Sequence, residues 1–199
     1  MNFGIKKLDE LIGDIEKGTV ILIEGVGDVP ILIAKEFLKN ALNEGFNAFA
    51  IVSERVKRVL SDLNGLNVLT PDDAFSFQEL FTISLVVRDL KEKVGLIDVF
   101  QQLLIMPESE KVYHLLREIC QHIRKKKGIV VITLDKRLAD DRTIAMFENE
   151  ADYVIEIDEI SEGLKIRRGI RVKKSLKNPP SPYYSLLIEG GIRVGDKIG

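Results

Sequence analysis

The chain has 199 residues, 45% of them apolar and 30% charged, with a formal net charge of -2. That length and composition suit one domain with a substantial core and exclude a disordered chain, and the charge balance excludes a globally basic nucleic-acid binder while leaving room for a local patch. A single cysteine, Cys120, excludes an internal disulfide and fits a reducing, cytoplasmic compartment; no apolar run is long enough to span a bilayer, and residues 1–7 carry no apolar signal region.

In chain order, Leu8, Leu11 and Ile12 recur at helical spacing and predict a short leading helix. Gly18 opens 19–23, an unbroken β-branched run that reads as a central strand covered on both faces. A helix over about 30–44 follows, with Ile33, Phe37, Leu38, Ala41 and Leu42 in one stripe and Gly45 beyond its end. Residues 46–52 read as a second buried strand, 55–63 as a helix and 66–69 as a short strand. Residues 70–73 read as a turn, and Ser76 with Glu79 as a capping box opening a helix to about Lys93. Another apolar strand, 94–98, ends on Asp98. Pro107 starts a segment leading into a long helix through Lys127, Gly128 stops it, and 129–134 is the next strand. A helix over 140–150 begins at Asp140-Asp141, where acid suits a helix start. The remainder changes character: 153–157, 164–174 from Leu164 onward, and 183–194 are strand-like, with Gly190-Gly191 as a two-residue hairpin turn. Residues 177–182 read as a loop between strands.

Strands alternating with helices, then an antiparallel tail, predict an α/β fold. We expect a single domain over 1–199, with a mainly parallel sheet, helices on both faces and a C-terminal antiparallel extension. Ligands in such sheets bind at the carboxyl ends of the strands. Glu54, Asp98 and the segment 24–31 all lie at such ends. That segment reads Glu24-Gly25-Val26-Gly27-Asp28-Val29-Pro30-Ile31, between an apolar strand and an amphipathic helix. A phosphate-binding loop places G-x-x-x-x-G-K-[S/T] in this setting. Gly25 and Gly27 fit, but the four signature positions are Glu24, Val29, Pro30 and Ile31.

Nearly the whole chain resembles the RecA-type P-loop ATPases, and most of all their KaiC branch. Phe3-Gly4-Ile5 through Leu8-Asp9-Glu10-Leu11 is similar to that group's "G-I-x-x-L-D-E-L-L" opening. Residues 17–23 resemble its first core strand, 34–38 its "A-x-x-F-L", Leu96-Ile97-Asp98 its Walker B strand, and 151–155 the approach to its last strands. The resemblance implies a RecA-like fold and a vestigial nucleotide site. Pro30 then stands at the loop lysine and Ile31 at the Mg²⁺-binding Ser/Thr. Glu54 is the first of a Glu-Glu pair whose second member is Arg55. Asp98 is the Walker B carboxylate. Lys174 is the lysine of a trans-acting K-x-R pair whose arginine is Leu176. The resemblance further implies a small archaeal group without the Walker A signature, and assembly with copies of itself or with related ATPases. The Lys-, Glu- and Ile-rich, Trp-free composition agrees with a hyperthermophile.

Phosphoryl transfer depends on positioning and on cancelling charge. Pro30 removes both an ammonium and a backbone N–H from the phosphate cradle. Ile31 offers no oxygen to Mg²⁺, and Val29 stands where backbone freedom is needed. Asp28, just before the helix, is placed to cap it with the chain's own anion. We therefore expect a catalytically inactive domain with no catalytic residue, no metal site, and no ATP or Mg²⁺ cofactor, acting as a binding or regulatory protein. Simpler readings stand beside it. The loop can be an ordinary turn, Asp98 a structural hydrogen-bonding group, and Glu54-Arg55 a solvated pair. Two functional alternatives also remain open. One is nucleotide binding with little or no hydrolysis. The other is a nucleic-acid interface on the strand carrying Lys165, Arg167, Arg168, Arg171, Lys173, Lys174 and Lys177, a run that more simply reads as a solvated edge strand guarded by cations. No membrane partner is expected.

Overall fold

Strand β1 (Thr19–Gly25) is buried along its whole length, as its unbroken apolar run demands. In the computed structural model, which describes residues 1–70, 80–104, 109–163 and 165–198, β1 lies between two parallel partners. On one side is β5 (Ile129–Asp135), with Thr19 opposite Ile129. On the other is β6 (Tyr153–Glu162), with Ile21 opposite Tyr153. Beyond β5 come β4 (Val94–Ile97), β2 (Ala48–Ile51) and β3 (Leu66–Leu69), also parallel. Beyond β6 the direction reverses into β7 (Lys165–Lys174), β8 (Tyr184–Leu187) and β9 (Arg193–Lys197). The result is one continuous nine-stranded sheet, ordered β3-β2-β4-β5-β1-β6-β7-β8-β9.

Each face of the sheet has its own core. Ile21 and Ile23 of β1 pack with α1 (Lys6–Ile12), α2 (Val29–Asn43) and α3 (Glu54–Val59) through Leu8, Ile12, Ile33, Phe37 and Val56. Val20 and Leu22 point the other way, as strand alternation requires. They join the core made by α4 (Leu80–Asp89), α5 (Phe100–Leu103), α6 (Ser109–Lys126) and α7 (Asp141–Glu150). Asp140 caps α7 with its carboxylate, accepting from Thr143 N at 2.7 Å.

Several expectations shift in detail. The capping pair Ser76 and Glu79, the turn through Asp72-Asp73, Pro107 and Leu164 lie outside the described residues. Neither α5 nor the 3-10 turn Lys136–Leu138 was anticipated. Strand β6 does not stop at Ile157 but runs to Glu162, because its far half pairs with the cations of β7 rather than with a core. The glycine pair is not a two-residue turn: Leu187 pairs with Arg193, leaving 188–192 as the loop. Gly190 and Gly191 supply left-handed positions within it, at φ 72° and 117°. Past α6 the left-handed residue is Lys127 at φ 57°. Gly128 matters instead for close approach, since a Cβ there would stand 3.0 Å from Lys93 O.

Gly95 of β4 faces Phe49 of β2 in the register, and a Cβ on Gly95 would come within 2.4 Å of the Phe49 ring. Gly95→Ala is therefore expected to destabilise the fold by about 1–3 kcal/mol through overpacking. The same change in a Phe49→Leu background should cost much less. Urea denaturation of the four proteins measures the difference.

Candidate functional site

Strand β1 delivers the chain to the loop 26–28 and then to α2, at the carboxyl edge of the parallel strands. Two glycines make the turn. A Cβ on Gly25 would meet Ile157 Cβ at 3.0 Å and Pro30 Cγ at 3.2 Å, and Gly27 adopts φ +65°, a dihedral that favours glycine. Past the turn the side chains face inward. Val29 and Ile31 belong to the same buried cluster as Ile21, Ile23 and Phe37. Pro30 is buried in the first turn of α2, where proline suits a helix start. The three positions that a nucleotide-binding loop gives to glycine, lysine and a hydroxyl are thus occupied by core residues.

An anion does occupy the loop, but it is not the expected one. Asp28 is the residue before α2, yet its side chain makes no capping bond. Its helical dihedrals, φ -87° and ψ -4°, depart from the extended conformation that a capping residue uses. Instead Asp28 Oδ1 pairs with Arg55 Nη1 at 2.5 Å across the mouth of the loop. The carboxylate that enters is Asp135, the last residue of β5. Its Oδ2 accepts from Gly27 N at 3.1 Å. Arg137 holds the same group from outside, with Nε on Oδ1 at 3.0 Å and Nη2 on Oδ2 at 2.7 Å. Burial opposes ionisation of Asp135, but Arg137 and the N–H groups of Arg137 and Gly27 outweigh it and hold the carboxyl below its ordinary value.

Asp98, just past the end of β4, is buried and hydrogen-bonded. It is 2% exposed. Its Oδ1 accepts from Thr133 Oγ1 at 2.5 Å and from Gln101 Nε2 at 2.6 Å. Burial pushes its pKa up to about 6, against those two hydrogen bonds. Glu54 sits in the first turn of α3 and pairs with Lys57 at 3.3 Å. Arg55 pairs with Asp28, not with Glu54. Among the described residues no group of three or more His, Cys, Asp or Glu side chains is arranged to hold a metal ion.

Glu24 does not face the loop mouth. It lies on the face of β1 shared with Val20 and Leu22, is fully buried, and accepts from Lys173 Nζ at 3.2 Å. Lys173 belongs to the basic strand β7, whose cations are answered by the neighbouring strand. Arg168 pairs with Glu159 at 2.5 Å. Arg171 pairs with Glu156 at 2.6 Å and stands 4.6 Å over the Tyr183 ring. Lys136 bridges Glu156 and Asp158 at 3.2 and 2.7 Å, and the Tyr183 hydroxyl donates to the same two carboxylates. Burial works against ionisation of Glu156, yet Tyr183, Arg171 and Lys136 hold its pKa down to about 2. Lys174 Nζ donates to the backbone oxygens of Glu148 and Ala151 at 2.8 and 2.7 Å, where a cation complements a helix C-terminus. Lys177 pairs with Glu16 at 2.8 Å. The run looked uninterrupted by acid because its acid comes from elsewhere in the chain, from β6 for Arg168 and Arg171 and from Glu24, Glu148 and Glu16 for Lys173 and Lys177.

Asp135, Arg137 and Thr133 escaped the sequence reading. Asp135 carries the same signal as Asp98, a carboxylate ending an apolar strand, but the strand was expected to stop one residue sooner. An open groove of 610 Å³ lies over the loop, lined in part by Gly27, Asp28, Leu32, Arg137, Arg168 and Glu189.

With this geometry in view, comparison with known proteins is informative about fold alone. No family model matches the chain, and no curated protein does. Among solved structures, a KaiC-like protein from the hyperthermophilic archaeon Pyrococcus horikoshii is similar over 98% of this chain and 97% of its own, with TM-score 0.76 and 20% identity. The chain thus has the mainly parallel α/β architecture of the KaiC-like RecA fold, with a C-terminal antiparallel extension. Among the described residues no helix is long and apolar enough to cross a membrane.

The two aspartates near the loop should behave differently. Asp135→Ala leaves the Gly27 N–H without its acceptor and is expected to cost about 1–3 kcal/mol. Asp28→Ala breaks a pair whose side chains are 57% and 60% exposed, and should cost under about 1 kcal/mol. Denaturation midpoints of the two variants give the comparison.

Proposed function

We propose that this chain is a RecA/KaiC-like domain that has lost nucleotide hydrolysis and works as a binding or regulatory protein. The observation that carries this reading is the Asp135 carboxylate on the Gly27 N–H. A loop of this kind binds phosphate through backbone N–H groups and the positive end of the following helix. Here a tethered anion already holds that N–H, backed by its own arginine. A triphosphate would have to displace Asp135 and approach Asp28, with no loop lysine to offset the charge.

The chemistry beyond binding is short of parts as well. Val29, Pro30 and Ile31 are buried, so neither a loop ammonium nor a hydroxyl for Mg²⁺ is supplied. Removing one charge-stabilising group commonly costs about 3–4 kcal/mol in a transition state, and several are missing together. Asp98 is engaged by Thr133 and Gln101. Lys174, which the family resemblance assigns to a neighbouring subunit's site, is spent on the carbonyls of α7. The archaeal origin implied by the resemblance, and the hyperthermophilic source and cytoplasmic setting suggested by composition, belong to the same proposal, as does assembly with copies or active relatives.

Isothermal titration of the full chain with MgATP is expected to show no binding at millimolar nucleotide, and a phosphate-release assay no turnover. Micromolar affinity would mean a nucleotide-binding protein that has kept its ligand, and phosphate release above background would restore the ATPase reading.

A further inference from the structure

Glu24 is an ionisable group with almost nothing to ionise against. It is 0% exposed. Its Oε1 accepts from Lys173 Nζ at 3.2 Å, and its Oε2 is out of solvent contact with no hydrogen-bond partner among the described residues. The same ammonium stands 2.6 Å from Glu148 Oε1 and 3.4 Å from Glu156 Oε1. Three carboxyl groups, from β1, α7 and β6, therefore converge on one cation from β7. Their circumstances differ. Glu156 has Lys136, Arg171 and the Tyr183 hydroxyl besides. Glu148 keeps 24% of its side chain in contact with solvent. Glu24 has neither a second cation nor water.

We infer that Glu24 takes up a proton when the chain folds, and that losing this proton loosens the seam between β1, α7 and β7, a proton-operated latch beside the loop. In the closed form Glu24 is a neutral acid, and Lys173 is free to bind Glu148 closely and tie α7 to the sheet. When the proton leaves to solvent, a third carboxylate competes for the same ammonium. Drawing Lys173 toward β1 weakens its contact with Glu148. The Lys174 bonds to Glu148 O and Ala151 O remain, so the loosening is local rather than global. The charged groups facing Glu24 are Lys173, Glu148 and Glu156, with Lys136 and Arg171 behind Glu156. Burial first, and then the Glu148 charge, push the Glu24 pKa up to about 7, with Lys173 only partly offsetting them.

The sign follows by linkage. A carboxyl whose folded-state pKa lies above its unfolded value near 4.5 contributes stability that is full below that value. The contribution is lost as pH rises toward 7, by up to about tenfold in the folding equilibrium constant per pH unit. Asp98 and His122 also have shifted pKa values near this window, so the test compares two proteins that share them. Urea unfolding of the full chain and of Glu24→Gln is measured from pH 4.5 to 8. The expected result is that the ratio of their folding constants falls by tenfold or more across the window. Amide protection factors in α7, corrected for the intrinsic base-catalysed rate, should fall above neutral pH in the parent but not in Glu24→Gln. Carboxyl-carbon NMR of the unmodified protein supplies a readout that needs no variant, with a Glu24 midpoint near 7. Parallel stability curves, or a Glu24 midpoint at or below 5, would overturn the inference. The outcome does not depend on whether nucleotide binds.

Discussion

Complete burial of β1 is the constraint from which the rest follows. A strand paired on both sides and covered on both faces has no water along it, so each polar group it carries must be answered by protein. Its backbone is answered by β5 and β6. One oxygen of Glu24 is answered by a lysine reaching across from β7, and the other is left unanswered among the described residues. At its end, the exposed N–H of the turn is answered by a carboxylate from the neighbouring strand. The buried carboxylates along this strand and at its end thus have their partners set by desolvation.

Much of this architecture was legible in the chain. The uninterrupted runs of β1, β4 and β5 declare strands covered on both faces, and the apolar stripe of α2 with Gly45 behind it fixes a helix and its end. The apolar run 29–31 opens that helix with side chains that the structure buries. What stayed hidden was every relation across strands. A one-dimensional reading assigned the loop anion to the nearest acid, Asp28, because proximity along the chain was the only distance available. Sheet register brings in Asp135, more than a hundred residues away. The basic run of β7 looked unopposed for the same reason, since Glu156, Asp158 and Glu159 lie beside it only after β6 and β7 pair. The far half of β6 was missed because its pairing is electrostatic, and apolar periodicity has no term for that.

Likeness of fold speaks to packing and topology, whereas chemistry resides in particular side chains. Two proteins can share the layered sheet at low identity because many apolar sets fill the same layers. The polar groups of this chain are less interchangeable. The Asp135–Arg137 pair, the Thr133–Asp98–Gln101 set and the carboxyls around Lys173 each satisfy a local demand set by burial.

The threading of β1 has a consequence for biosynthesis. The strand is translated well before its two neighbours, which are encoded more than a hundred residues later. Contacts so distant in sequence close slowly, and unpaired strand edges invite aggregation in the meantime. Nascent β1 therefore waits with both flanks open until β5 and β6 have been translated. A chaperone acting on this protein would be needed chiefly during that interval.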